Sequence, residues 1–304
     1  MAQVWDADNE ITPETAEQLI ARQFPELAPV SVQLIGVGWD NAAFRINGRY
    51  VFRFPRRRLG AELLAHEVQA LPLLAPALPL PIPVPVFLGQ PEGSYPYEFA
   101  GYPLIPGEPA SEVDWTDKTR IANSARLATF LRALHSVPVS HETRSRAPGD
   151  ELDRANILRR APKLKERLAS LAELTTGLDL PELIRIVDEL ATTPLRAEAP
   201  CWVHGDLYAR HLLMNGDQQL SGVIDWGDVH LGDPAIDLSI IYSFLPPQAR
   251  DAFWAVYGHA DDNAQRRARF RAIHYGPILI AYGADVGDAT IRKVGEDALR
   301  FAVS

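Results

Sequence analysis

Two short apolar runs, Cys201-Trp202-Val203 and Leu220 to Ile224, each deliver the chain into a group of polar residues. His204-Gly205-Asp206 follows the first run, Asp225-Trp226-Gly227 follows the second, and His211 stands five residues beyond Asp206. Between Leu212-Leu213-Met214 and the run from Leu220 lies Asn215-Gly216-Asp217, which is turn chemistry. The pattern predicts a hairpin that brings Asp225 back beside the loop carrying Asp206. Asp206, His211 and Asp225 would then surround one position, which restricts the chain to folds that can hold such a loop.

These residue types suit phosphoryl transfer. That reaction asks little covalent chemistry of a protein; it needs an acceptor hydroxyl held in line and cations that neutralise phosphate oxygens. Asp206 can orient the hydroxyl and take its proton, and Asp225 offers a hard oxygen to Mg²⁺. In protein kinases the residue five after the catalytic aspartate is an asparagine that holds a second metal. Here it is His211.

The stretch from Val203 to Leu238, VHGDLYARHLLMNGDQQLSGVIDWGDVHLGDPAIDL, resembles the catalytic segment of the aminoglycoside phosphotransferase family, small-molecule kinases with a protein-kinase-like fold. Histidine in place of the usual asparagine, LPLPIPVPVFLG (78–89) and FAGYPLIPGEP (99–109) are similar to the 2''-phosphotransferase branch. The resemblance implies an α+β, bilobal, protein-kinase-like fold. A small antiparallel-sheet N-lobe over residues 1–103 would bind nucleotide, and a larger, mostly helical C-lobe over 104–304 would carry catalysis and the acceptor. It also implies ATP or GTP as donor, Mg²⁺ as cofactor, and an aspartate at position 237 that braces the catalytic loop.

Composition sets an independent frame. The chain of 304 residues is 47% hydrophobic and 23% charged, enough for one large or two medium domains with real cores. Its single cysteine, Cys201, rules out an internal disulfide. No basic segment leads into an apolar run at the N-terminus, and no stretch approaches a membrane span, so a cytoplasmic location is expected. The net charge of -9 argues against broad nucleic-acid binding and is compatible with a cationic small molecule. Nothing in the sequence fixes an oligomeric state.

Up to about residue 100 the chain reads as strands with one helix. Val32 to Val37, Ala42 to Ile46 and Arg49 to Phe54 are β-rich, and Asn47-Gly48 predicts a type I′ hairpin. Prolines crowd residues 72–91, which predicts an extended connector from there on. Pro103, Pro106, Gly107 and Pro109 punctuate a hinge. From about 115 helical spacing dominates, as in Leu127, Phe130, Leu131 and Leu134.

The N-terminal candidates concern phosphate. Gly36-Val37-Gly38-Trp39-Asp40-Asn41 lies between two strand patterns, where Gly36, Gly38 and Asn41 could bring backbone N–H groups to a phosphate. In Val51-Phe52-Arg53-Phe54, strand alternation puts Arg53 on the face opposite the two phenylalanines. Leu64, Val68 and Leu71 form a helical stripe that includes Glu67, and a carboxylate there needs a partner. Kinases of the resembling fold use a lysine paired with a helix glutamate. No lysine precedes Lys118, so the role passes to Arg53 with Glu67 as its partner. The same resemblance places the purine edge against the backbone from Tyr102 to Ile105, including Pro103 and Ile105.

The acceptor side is less determined. Acids at Asp261, Asp262, Asp285, Asp288, Glu296 and Asp297 could meet an amine, and Trp254, Tyr257, His274, Tyr275 and Tyr282 could line a pocket or simply pack. An aminoglycoside is the first expected acceptor. A macrolide or a metabolic alcohol such as choline, homoserine or a sugar is the alternative within the enzyme class. Two departures, Arg53 and His211, motivate a different class, a nucleotide-binding pseudokinase that regulates a partner.

Overall fold

The computed structural model describes residues 7–113, 115–175, 177–192, 199–258 and 260–304. The chain divides into two compact units, one made of residues 1–76, 81–106 and 226–228, the other of 77–80, 107–225 and 229–304.

In the first unit, helix α1 (Pro13–Gln23) precedes strands β1 (Val32–Val37), β2 (Asn41–Ile46) and β3 (Tyr50–Pro55). Helix α2 (Arg58–Leu74), β4 (Phe87–Gly89) and β5 (Phe99–Pro103) complete it. The five strands form one antiparallel sheet in the order β1-β2-β3-β5-β4. Asn47 and Gly48 turn β2 into β3 with φ of 52° and 68°, the left-handed pair that a type I′ turn requires. Phe44, Phe52, Phe54 and Phe99 are fully buried with Leu19 and Ile20 of α1. Phe54 and Phe99 stack at 4.4 Å between ring centres. Gly101 is required by this packing, because a Cβ there would stand 2.5 Å from the Phe52 ring.

Two expectations need correction here. Among the described residues the N-terminal region holds two α-helices, α1 and α2, where the sequence pattern predicts one. Its signal is local: Thr12 caps the helix by accepting from the Thr15 N–H, Pro13 occupies the first turn, and Ala16, Leu19 and Ile20 are its buried face. Nor does the extended connector begin at residue 72. Helix α2 runs through Pro72 to Leu74, and Leu71 and Leu74 are fully buried. Burying two leucines contributes about 3–6 kcal/mol, which offsets the roughly 3 kcal/mol a proline costs inside a helix.

The second unit is mostly helical. It begins with β6 (Glu108–Pro109), α3 (Asp117–His135), α4 (His141–Arg146), α5 (Ile157–Ser170) and α6 (Leu180–Leu190). Four short strands follow: β7 (Cys201–Val203), β8 (Leu212–Met214), β9 (Leu220–Val223) and β10 (His230–Gly232). The chain ends with α7 (Ala235–Leu238), α8 (Ile240–Ser243), α9 (Pro247–Tyr257), α10 (Asp262–Asp285) and α11 (Ala289–Val303). β8 and β9 form the expected hairpin, with Leu212 opposite Val223, while β7 pairs with β10. Among the described residues no helix is long and apolar enough to cross a membrane.

Candidate active site

One cluster of candidates lies within each unit. In the second, β7 ends at Val203 and the chain turns through His204 and Gly205, whose φ of 86° suits glycine. Asp206 follows, then a single 3₁₀ turn (Ala209–His211) leads into β8. The loop is braced from beneath by Asp237, which is fully buried. The His204 N–H donates to Asp237 Oδ2 at 2.7 Å and the Gly205 N–H to Oδ1 at 3.0 Å. His135 Nε2 approaches the same carboxylate at 3.2 Å. Burial alone would raise the Asp237 pKa, but the His135 contact and the loop N–H groups lower it below the usual carboxylate value.

His204 ties the two carboxylate-bearing segments together. Its Nε2 faces the Ile224 carbonyl at 3.0 Å, so it donates, and its Nδ1 accepts from the Asp206 N–H at 3.3 Å. Burial, with His211 nearby, keeps this histidine neutral by lowering its pKa. The Ile224 N–H in turn donates to the His211 carbonyl at 2.9 Å, which returns Asp225 to the loop as the hairpin pattern requires. Asp225 adopts φ 64°, an uncommon conformation for a residue with a side chain.

His211 stands between the two carboxylates. Its Nδ1 lies 2.8 Å from the Asp206 carbonyl, which can only accept, so Nδ1 carries a proton. Its Nε2 lies 3.1 Å from Asp225 Oδ2. A bare imidazole nitrogen and a carboxylate oxygen at that distance repel unless a proton or a cation stands between them. Burial pulls the His211 pKa down, but the charges of Asp225 and Asp206 outweigh it and the net shift is upward. The pair fits one flank of a Mg²⁺ site, with Asp225 as the hard oxygen donor. Among the described residues no group of three or more His, Cys, Asp or Glu converges on one metal position, so water and phosphate oxygens would have to complete the shell.

The group that sequence reasoning did not assign is Tyr275 on α10. Its hydroxyl donates to Asp206 Oδ1 at 2.5 Å, and burial with the Asp206 charge pushes the phenol pKa far up, so it remains a donor. Tyr208 packs edge-on against both His211 and Tyr275, with ring centres 4.3 and 5.3 Å apart. Of the acids expected near an acceptor, four are engaged within the fold. Asp261 and Asp288 cap α10 and α11. Glu296 pairs with Arg292 at 3.0 Å, and Asp297 with Lys293 at 2.9 Å and Arg300 at 2.8 Å.

In the first unit, Arg53 Nη1 donates to Glu67 Oε2 at 2.7 Å, joining β3 to α2 in the pairing that the strand and helix patterns call for. Both are enclosed, with side-chain exposures of 14% and 0%. Gly36 pairs with Ala43 inside β1, and the Gly38 N–H donates to the Asn41 carbonyl at 2.8 Å, closing the β1–β2 turn. Pro103 ends β5 opposite Tyr50, with Ile105 two residues beyond.

Comparison with known proteins shows the family and the fold. Residues 31–272 match the sequence model of a family described as the phosphotransferase enzyme family. A segment of 68 residues is 37% identical to viomycin phosphotransferase of Streptomyces vinaceus, spanning 21% of this chain and 24% of that protein. The fold superposes on the GDP complex of wild-type aminoglycoside 2'-phosphotransferase-IIIa with a TM-score of 0.71 and 26% identity, covering 96% of this chain and 99% of the other. A macrolide 2'-phosphotransferase type I superposes with a TM-score of 0.62 at 18% identity, over 95% and 98% of the two chains, a likeness of fold alone.

Proposed function

The chain belongs to the phosphotransferase enzyme family, and from that premise we propose that it moves the γ-phosphate of ATP or GTP to a hydroxyl of a small polar molecule. The observation that carries this reading is the single loop that gathers Asp206, His211 and Asp225 while Asp237 fixes its backbone. In the proposed step the acceptor oxygen bonds to the γ-phosphorus, the bond to the departing nucleoside diphosphate breaks, and the acceptor's proton passes to Asp206. Tyr275 fixes the Asp206 carboxylate so that its remaining lone pairs face the acceptor. Mg²⁺, held by Asp225 and His211, would neutralise phosphate oxygens.

Arg53 would meet the nucleotide's phosphates, with Glu67 holding the guanidinium in place. Gly36, Gly38 and Asn41 would cover the phosphates, and the backbone at Pro103 and Ile105 would meet the purine edge. Arginine differs from lysine in presenting a planar fork, so it can hold carboxylate and phosphate together. Residues 1–103 would be the nucleotide-binding lobe and residues 104–304 the catalytic and acceptor-binding one.

The acceptor class put first by likeness is an aminoglycoside, since the superposed GDP complex is of an aminoglycoside phosphotransferase. One observation favours a second class, a metabolic alcohol without multiple amines: four of the six candidate acids already serve helix caps or ion pairs. The test is a transfer screen with ATP and GTP across aminoglycosides, macrolides and hydroxylated metabolites. A phosphoester product supports the proposal. Nucleotide binding with neither hydrolysis nor transfer would overturn it in favour of a regulatory pseudokinase.

A further inference from the structure

Helix α10 carries Arg267, Arg271 and Tyr275 at four-residue spacing, which places them in one row along the helix. The two outer members have carboxylate partners. Arg267 Nε donates to Asp233 Oδ2 at 2.6 Å, and the Tyr275 hydroxyl donates to Asp206 at 2.5 Å. Arg271, between them, has none: among the described residues it meets no hydrogen-bond acceptor and no carboxylate. It is only 8% exposed, and its guanidinium carbon stands 5.0 Å from the centre of the Tyr275 ring.

A second group beside it also lacks an acceptor. His274 is 3% exposed, and its Nδ1 is buried without a hydrogen-bond partner. Its Nε2 lies 3.4 Å from Arg160 Nη1. A guanidinium only donates, so Nε2 accepts and the ring proton sits on Nδ1, a buried N–H with nothing to receive it. Burial, then the charges of Arg271, Arg160 and Arg167, push the His274 pKa down to about 3, which fixes the neutral ring. Arg160 itself is held in place by donating to the Asp153 and Leu152 carbonyl oxygens.

The Arg271 guanidinium is mostly enclosed yet its nitrogens keep contact with solvent, so an anion can reach it, and the face of one tyrosine ring balances only part of its charge. The row therefore contains a cation and a neutral donor without acceptors, next to the tyrosine that holds Asp206. We propose that Arg271 and His274, backed by Arg160, form an anion subsite that receives a carboxylate or phosphate group of the acceptor. The inference rests on Asp206 being the group that orients the acceptor hydroxyl. It narrows the acceptor to a hydroxy acid or a phosphorylated alcohol, because a polycation would bring ammonium groups against the arginines.

Equilibrium binding tests this without turnover. The full-length protein is titrated calorimetrically with inorganic phosphate and with malonate at constant ionic strength. The tighter of the two identifies the headgroup. Wild type is expected to bind at least one probe, and Arg271→Gln to weaken it by about tenfold or more, the effect of losing a charge-assisted hydrogen bond. Arg271→Lys should recover part of the loss, and substitution of the exposed Arg126, Arg126→Gln, should leave this binding unchanged. Circular dichroism reports folding; should Arg271→Gln not fold, Arg160→Gln and Arg271→Lys carry the test, each weakening the probe. The proposal is overturned if wild type binds neither probe, if the folded α10 and Arg160 variants bind like wild type, or if the loss follows Arg126→Gln. Failure of phosphoryl transfer is a separate result, read from nucleotide turnover.

Discussion

Tyr275 donates its hydroxyl to Asp206 Oδ1 at 2.5 Å across 69 residues of sequence, so a helix late in the chain orients the carboxylate of the loop after β7. Tyr275→Phe removes that hydrogen bond and little else. Turnover should fall by roughly 10- to 100-fold, the range for a hydrogen bond to a charged group, while the Michaelis constant for nucleotide stays close to wild type. Steady-state kinetics with the best acceptor from the screen decides it. Unchanged turnover would mean the tyrosine only packs.

The Arg53–Glu67 pair should behave as one unit. Arg53→Ala leaves a fully buried carboxylate without its cation and should cost about 3–5 kcal/mol in denaturant unfolding. The double variant Arg53→Ala/Glu67→Leu should cost less than the sum of the singles. Arg53→Lys should restore much of the nucleotide affinity that alanine loses. Strict additivity in the cycle would count against coupling.

Asp237 accepts two backbone N–H groups of the catalytic loop. Asp237→Ala leaves both donors buried and unmet, each costing about 1–3 kcal/mol. Lower stability and lower turnover should therefore appear together, with hydrogen exchange accelerated at residues 204–206. Normal protection there would show that the loop is held by other contacts.

How much of this was legible in the sequence follows from how local each signal is. The β8–β9 hairpin depends on a turn and two adjacent apolar runs, so the approach of Asp225 to His211 could be read directly. The Arg53–Glu67 contact was readable because a lone base on an apolar strand and a lone acid in an apolar helical stripe each need a partner. Helix α1 was missed although its Thr12-Pro13 start was present, because the β-rich segments after it dominated the reading. Tyr275 could not be assigned, since its partner depends on how α10 packs. The acids at positions 261 and 288 read as candidate ligands but are helix caps, a role set by where the helices begin.

Stability should also report the neutral His274. Its folded pKa lies at about 3, far below the value near 6.5 of the unfolded chain, so only the unfolded state takes up a proton as pH falls below 6.5. Stability contributed by this residue is full above that value and declines below it, by about 1 kcal/mol at pH 5.5. His211, shifted upward, acts in the opposite sense, so the informative quantity is the difference between wild type and His274→Gln. Urea unfolding at pH 7.5 and 5.5 should show a smaller acid loss in the variant. Equal losses would place the histidine in contact with water.

The most direct test of the central claim compares wild type with Asp206→Asn in transfer of the γ-phosphate to a hydroxyl acceptor, with nucleotide affinity measured on the same preparations. Wild type is expected to form a phosphoester, and the variant to show turnover reduced by roughly 10²-fold or more with nucleotide affinity unchanged. Transfer by Asp206→Asn at the wild-type rate would contradict the claim.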